Sequence, residues 1–403
     1  MKTAGIICEY NPFHLGHAEH IERTREVLGP GACIVCVMSG NYVQRGDLAV
    51  FNKHARAKMA VSCGADIVIE LPAPYALLSA GGFAKAGVYI LDKLGVCDFI
   101  SFGSESGNIG ALRDAASAIV SDDAQRHIKD WLDKGLPYAA AQQKAADAVL
   151  GARASVFKSP NNILGIEYIK AIEGYNSKIC PMTVRRCSGE HDTDNGYAAS
   201  ALRKKLLGGA VPTAMMPDRA ARICIEEIES GRGPVSTAHV ELAILSRLRV
   251  FGDYSRIPGV SEGLEFRFER YAKSECCVDA ILEKVKTKRY AMSRLRRILI
   301  TAALGITTQD SAVPPPYIRV LAMNDKGIRL LKSVKKRTEL PVIIKPASVL
   351  KLSKAAIGTF NTEAAATDFY SLAYSKEEQR AGGREWRQSP VVLTHGNYHD
   401  APG

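Results

Sequence analysis

Over roughly the first half of the chain, short β-branched runs alternate with stretches whose apolar positions recur every three or four residues. Thr3 to Ile7, Cys33 to Met38, Asp66 to Glu70, Phe99 to Phe102 and Met182 to Arg186 have the length and composition of buried strands, whereas Gly16 to Leu28 and Lys53 to Ser62 carry helical periodicity. Strand and helix in alternation predict crossover units, and hence an α/β fold with a doubly wound, Rossmann-like parallel sheet. A ligand of such a sheet sits beyond the carboxyl ends of the strands. The polar clusters of this chain follow directly on the predicted strands.

The segment LGGAVPTAMMP, Leu207 to Pro217, breaks both periodicities with its glycines and prolines and marks the expected junction between units. The expected organisation is a nucleotide-binding unit over 1–208, a mainly helical unit over 218–374, and a polar, partly mobile tail over 375–403. In the helical unit, Thr237 to Leu248 and Cys276 to Leu304 are the longest predicted helices. Ala280 to Ile300 carries Lys284, Lys286, Lys288, Arg289, Arg294, Arg296 and Arg297 against Glu283 alone. Ile281, Leu282, Val285, Leu295, Ile298 and Leu299 supply the stripe that such a helix buries.

Composition adds two constraints. The formal net charge of +11 on 403 residues favours polyanionic partners, nucleic acid above all. The longest apolar run, near Ile298 to Ile306, is well short of the roughly 18 residues that span a bilayer, and no secretory signal is recognisable at Met1 to Ile7. A soluble, cytoplasmic protein without a membrane partner is expected. The ten cysteines are scattered in apolar contexts, which favours reduced thiols. Cys33 and Cys36, the one C-x-x-C, lie in a strand-like run where they would face opposite ways and pack in the core rather than share a metal.

The sharpest local signal is CEYNPFHLGHAEHI, Cys8 to Ile21. After the first strand the chain turns at Asn11-Pro12 and enters a helix near Leu15 or Gly16. His14 and His17, three apart at a helix N-terminus, bring two imidazoles and free backbone N–H groups toward one anion. Gly16 between them leaves the backbone open to close approach. This is a device for stabilising charge on a phosphate during nucleotidyl transfer. A zinc site of Glu9, His14 and His17 lacks a supporting ligand pattern, so no metal site is expected. His20, one turn beyond His17, is expected to face solvent or cap the packing. Arg186, at the end of the strand Met182 to Arg186, and Arg203 are the cations placed to face the same anion from the opposite side; Arg185 alternates with Arg186 and would point away.

GIICEYNPFHLGHAEH, followed in order by MSGNYVQRGDLA, GADIVIELP, FGSE, SPNNILGIEYIKAI and KTKRYAMSRLRRIL, resembles the bacterial tRNA(Met) cytidine acetate ligase family, a branch of the nucleotidyltransferase superfamily. The resemblance runs to about Pro346. It implies an enzyme that uses ATP, with Mg2+ and no tightly bound cofactor, to activate acetate as acetyl-adenylate. The acetyl group then passes to the wobble cytidine of elongator tRNA(Met), giving N4-acetylcytidine. By the same resemblance the ATP site comprises the first loop, Ile7, Cys8, Glu9, Tyr10, Asn11, Pro12, Phe13, His14, Leu15, Gly16, His17, Ala18, Glu19 and His20, together with Gly103, Asn161 and Arg186. Asn161 precedes a helix and doubles as a cap candidate, with Asn162 beside it. Lys286, Lys288, Arg289, Arg294 and Arg297 would position the tRNA backbone.

Asn41, Gln44 and Arg45 follow the second strand and face either substrate or tRNA. Lys53 and Arg56 stand between a solvated helix face and a site. Where relatives show Ser-Ala-Thr-Ala-Ile-Arg, this chain has Ala198, Ala199, Ser200, Ala201, Leu202 and Arg203. The first hydroxyl is lost, and Ser200 and Arg203 remain for the pyrophosphate. The alternative is an H-x-G-H enzyme that transfers AMP or CMP to a small phosphorylated metabolite, which would need no basic helical unit.

Overall fold

The structure, a computed structural model, describes residues 1–185 and 199–394. Seven strands lie in one row of the central sheet: β1 Thr3–Cys8, β2 Cys33–Ser39, β3 Ile67–Leu71, β4 Phe99–Ser104, β5 Cys180–Arg185, β6 Ile318–Asn324 and β7 Val391–Leu393. Their order is β7-β6-β3-β2-β1-β4-β5, and every neighbouring pair is parallel except β3 with β6. The chain winds outward from β1 through β2 to β3, then returns to the other side of β1 for β4 and β5. That reversal opens a crevice at the carboxyl ends of β1 and β4, where an open α/β sheet takes its ligand.

Helices cover both faces, which is why the central strands read as continuous apolar runs. β2 is buried at every position. Cys33, Val35 and Val37 enter one core cluster and Ile34, Cys36 and Met38 the other, so the two cysteines of C-x-x-C face opposite ways as free thiols. Against β1, helix Ala80–Lys93 packs so closely that a Cβ on Gly5 would come within 2.5 Å of the Leu91 side chain.

The five strands predicted from the sequence are present, with ends shifted by one or two residues. Three expectations on organisation are corrected. The nucleotide-binding core does not end at 208: Met216, Ala220, Ala221, Ile223 and Cys224 pack in the same cluster as Ile6 and Ile34. The helical unit over 218–374 is not self-contained either. β6 lies in the middle of the sheet row, and the core of helices 235–306 includes Tyr42 and Leu48 from the first half and Tyr370 and Tyr374 from the end. The segment 375–394 is anchored by the pairing of β7 with β6 and by Glu385, which is buried; residues 395–403 lie outside the described residues.

The long helix expected over Cys276 to Leu304 is two helices, Val278–Val285 and Met292–Leu304. Between them Tyr290 is buried in the helical core and its hydroxyl donates to the Glu262 carbonyl at 3.2 Å, which requires the chain to leave the helix. Thr237 to Leu248 likewise begins as a 3-10 turn and continues as helix Glu241–Val250.

Candidate active site

β1 ends at Cys8, and the chain crosses the crevice through Tyr10, which adopts a left-handed backbone (φ 46°), and the cis Asn11-Pro12 bond before α1, Leu15–Leu28, begins. His14 is the N-cap of α1. The Gly16 N–H donates to His14 Nδ1 at 3.1 Å, and the His14 N–H donates to His17 Nδ1 at 3.3 Å. This is a capping box built from two imidazoles in place of Ser and Glu. It fixes chemistry as well as geometry. A ring nitrogen that accepts a backbone N–H carries no proton, so in each neutral ring the proton resides on Nε2. Both histidines are therefore donors at Nε2.

The two rings stack with centroids 3.6 Å apart, and Tyr10 and Phe13 pack around His17 at 4.8 and 5.5 Å. Tyr10 and Phe13 are core residues, so from the first loop they offer a ligand backbone and ring edges rather than free side chains. The reason for Gly16 is more local than open space for a purine: an added Cβ would sit 3.1 Å from His14 Cε1 and crowd the capping ring.

Arg56, on α2 (Lys53–Ser62), holds this loop to the next. Its guanidinium, fully buried, donates to the carbonyls of Phe51 (2.8 Å), Ser39 (3.1 Å), Gly40 and Glu9. It is thus a strap across the carboxyl ends of β1 and β2, not a solvated cation. Lysine has fewer donors and no planar fork. Arg56→Lys is expected to lower stability by about 1–3 kcal/mol, through unpaired buried carbonyls, and to reduce activity with it; thermal unfolding and turnover measured on one preparation check both.

Lys53 is also not solvated. Its ammonium is buried 2.5 Å from Glu70, 2.6 Å from Glu385 and 2.9 Å from Glu363, and Arg319 of β6 lies 2.8 Å from Glu385. This ionic cluster joins α2, β3, β6, helix Lys354–Ser371 and the C-terminal segment beneath the site.

The hairpin Tyr42–Val43/Asp47–Leu48 flanks the loop, and the Gln44 N–H donates to Glu9 Oε1 at 2.6 Å. Burial pushes the Glu9 carboxyl up, against the pull of Arg56, Arg203 and Arg45. Arg203, on helix Ala199–Leu207, donates to the Asn11 carbonyl at 2.9 Å, so it reaches the first loop. Ser200 is exposed on the same helix. Arg186 and Ala198 lie outside the described residues.

Of the two positions expected for His20, the structure shows the packing one: its Nε2 lies 3.0 Å from Ser101 Oγ of β4, which also meets Thr24 Oγ1 at 2.8 Å, tying α1 to the sheet at the crevice. Glu19 is exposed and pairs with Arg23 at 2.7 Å. Gly103 is on β4 opposite Val184 of β5, at the crevice floor. Asn161 is not a side-chain cap; it and Asn162 open helix Pro160–Gly174 under a carboxylate from the β4 loop. Glu105 accepts from Asn161 Nδ2 (2.7 Å) and from the Asn162 N–H (3.0 Å), and Asn162 Oδ1 accepts from the Glu105 N–H (3.1 Å). Glu105 supplies the charge at that helix N-terminus, a reciprocal clamp that carries no signal in the sequence.

The basic segment reaches the site through helix Met292–Leu304. Arg297 donates to the Gln44 carbonyl at 3.4 Å, and burial brings its guanidinium down to about 10. Gly46 (φ +78°) lets the hairpin seat on this helix, because a Cβ there would collide with the Arg297 backbone nitrogen. Of the other cations expected to meet RNA, Lys286 folds back onto the carbonyls of Thr287 and Tyr290, Arg289 pairs with Glu262 at 2.8 Å, and Arg294 donates to Gly259 and Ser261. Lys288 and Arg296 are exposed without such a partner among the described residues. Arg296 is not one of the cations expected to meet RNA; only the helical register distinguishes it from Arg297.

The fold and this loop define a nucleotidyltransferase of the HIGH type, and the chain matches the HIGH Nucleotidyl Transferase family over residues 1–385. More narrowly, it belongs to the tRNA(Met) cytidine acetate ligase family. It is 36% identical to the tRNA(Met) cytidine acetate ligase of Acetivibrio thermocellus, over 98% of this chain and 100% of that one. It is 42% identical to that of Caldicellulosiruptor bescii over 84% and 86%. Among solved structures it superposes on Thermotoga maritima TmcAL bound with alpha-thio ATP with a TM-score of 0.90 at 32% identity, covering 98% of this chain and all of that one.

Proposed function

We propose that the protein uses ATP, with Mg2+, to convert acetate to acetyl-adenylate and then acetylates the wobble cytidine of elongator tRNA(Met) to N4-acetylcytidine. Attack of a carboxylate on the α-phosphorus of ATP needs no enzyme nucleophile. It needs donors fixed where charge accumulates as pyrophosphate leaves. The observation that carries the reading is the imidazole capping box, which holds two Nε2 donors at a helix N-terminus on the crevice between β1 and β4. The first loop from Ile7 to His20, with Gly103, Asn161, Arg186 and Arg203, forms the ATP site in this proposal. A flipped cytosine reaches it from the side of the basic helices. Incubation with ATP, labelled acetate and tRNA, followed by mass analysis of the wobble nucleoside, tests it. Acetylated cytidine is expected; a nucleotide-coupled metabolite formed without RNA would overturn the proposal.

Lys288 and Arg296 are exposed cations placed to meet phosphates, whereas Lys286, Arg289 and Arg294 brace the segment that presents them. Lys288→Glu with Arg296→Glu is expected to weaken tRNA binding at least tenfold at low salt. It should also flatten the dependence of log Kd on log salt by about one for every phosphate that is no longer neutralised. Acetyl-adenylate formation measured without tRNA should hold at the wild-type rate.

A further inference from the structure

The two halves of the proposed reaction differ in their proton chemistry. Adenylate formation begins with acetate already ionised and ends with pyrophosphate as an anion, so no proton need be removed. In the transfer half, the N4 lone pair of cytidine attacks the acetyl carbonyl carbon. The N4–C bond forms, the bond from that carbon to the AMP oxygen breaks, and AMP leaves with the electron pair as a phosphate anion. The amine starts with two hydrogens and ends with one, so one proton must go to a base.

The first loop's histidines are poorly suited to that task. His14 Nδ1 and His17 Nδ1 are occupied by backbone N–H donors, and Nε2 of each neutral ring already bears the proton. His20 Nε2 is engaged with Ser101. Among the carboxylates nearby, Glu105 is spent on the N-terminus of helix Pro160–Gly174, Glu19 pairs outward with Arg23, and Glu70 is buried in the ionic cluster around Lys53. Glu9 differs from all of these. It stands one residue past the end of β1, at the crevice, and is only half-buried. The Gln44 N–H occupies its Oε1, and Arg297, midway along helix Met292–Leu304, reaches the carbonyl of that same Gln44. A carboxylate here is also an electrostatic handicap for holding a triphosphate, which asks for a compensating role.

We propose that Glu9 is the general base of the transfer half-reaction, taking the proton from cytidine N4 as the acetyl group arrives and releasing it to water afterwards. This rests on the reading under Proposed function. The charged and titratable groups that face Glu9 are Arg56 from α2, Arg203 from helix Ala199–Leu207, Arg45 from the hairpin and Tyr168 from helix Pro160–Gly174. Against the three cations, burial still leaves the carboxyl above its ordinary value, in the direction a base for neutral-pH work requires.

The experiment measures both half-reactions in single turnover, from pH 5 to 9, for the wild type and Glu9→Gln: pyrophosphate release for adenylate formation, and acetyl-cytidine appearance on mixing preformed enzyme-bound acetyl-adenylate with tRNA. Gln keeps an oxygen to accept from the Gln44 N–H, so the hairpin latch survives. The expected result is a fall of about 100-fold or more in the ratio of transfer to adenylation, and loss of a single deprotonation that limits wild-type transfer at low pH. A wild-type ratio and profile in Glu9→Gln would reduce the residue to a latch for Gln44. An equal fall in both halves would leave Glu9 no role beyond the ATP site of the first loop. Either outcome overturns the proposal, as does a pH-independent wild-type transfer step, which decides the matter even should the variant fold poorly. Failure of the wild type to make acetyl-adenylate at all is a separate result and removes the parent reading.

Discussion

His17→Asn is expected to cut acetyl-adenylate formation by about 10²–10³-fold without unfolding the protein. The amide oxygen of Asn can accept the His14 N–H that His17 Nδ1 accepts now, so the N-terminus of α1 stays capped. What is lost is the ring edge beyond, the Nε2 donor, and the aromatic surface packed between His14, Tyr10 and Phe13. Capping and charge stabilisation are thereby separated in one substitution. His14→Asn should behave in parallel, its amide oxygen accepting from the Gly16 N–H. Pyrophosphate release with ATP and acetate, read beside the thermal midpoint, checks both. A variant with a native midpoint and native rate would show that the imidazoles serve the helix alone.

The parts of this site that were legible in the sequence are those in which partners are close along the chain. His14, Gly16 and His17 lie within one helical turn, so the H-x-G-H spacing already contains the capping geometry, although not the tautomer that geometry imposes. The buried strands declared themselves because both faces are covered. The missed features all depend on distant partners. Lys53 and Arg56 look like the cations of an exposed helix start, yet Lys53 meets Glu363 across 310 residues of sequence and Arg56 spends its donors on backbone carbonyls that carry no sequence signature. β6 was hidden for a related reason. It enters antiparallel to β3 after a run of helices, outside the alternation that revealed the first five strands. Glu385 sits in a polar stretch that reads as a tail, but its charge is what the cluster around Lys53 requires.

That cluster sets the second large effect. Two cations, Lys53 and Arg319, face three carboxylates, Glu70, Glu363 and Glu385, all buried. Burial and the neighbouring Glu363 push the Glu70 carboxyl well up, which favours its protonated form and brings the cluster closer to charge balance. Burial alone would raise Glu385 too, but Lys53 and Arg319 outweigh it and bring that carboxyl down to about 2. Glu385→Ala removes the partner 2.8 Å from Arg319 and leaves the cations under-compensated, at an expected cost of about 3–5 kcal/mol. The loss falls toward the lower end to the extent that Glu70, 3.7 Å from Arg319, ionises in response. Glu70→Gln, nearly isosteric with the protonated acid, should cost within about 1 kcal/mol. The pH dependence has opposite signs for the two. Glu385, with its folded value depressed, contributes fully above the ordinary carboxylate value of 4.5, and that contribution is lost as pH falls toward about 2. Glu70, with its folded value raised above the same 4.5, contributes most below it and progressively less as pH rises through the raised value. Urea unfolding of the wild type and both variants between pH 3 and 8 resolves the two signs. A Glu70→Gln loss as large as that of Glu385→Ala at neutral pH would mean that Glu70 is ionised in the folded protein and that the cluster carries a net negative charge.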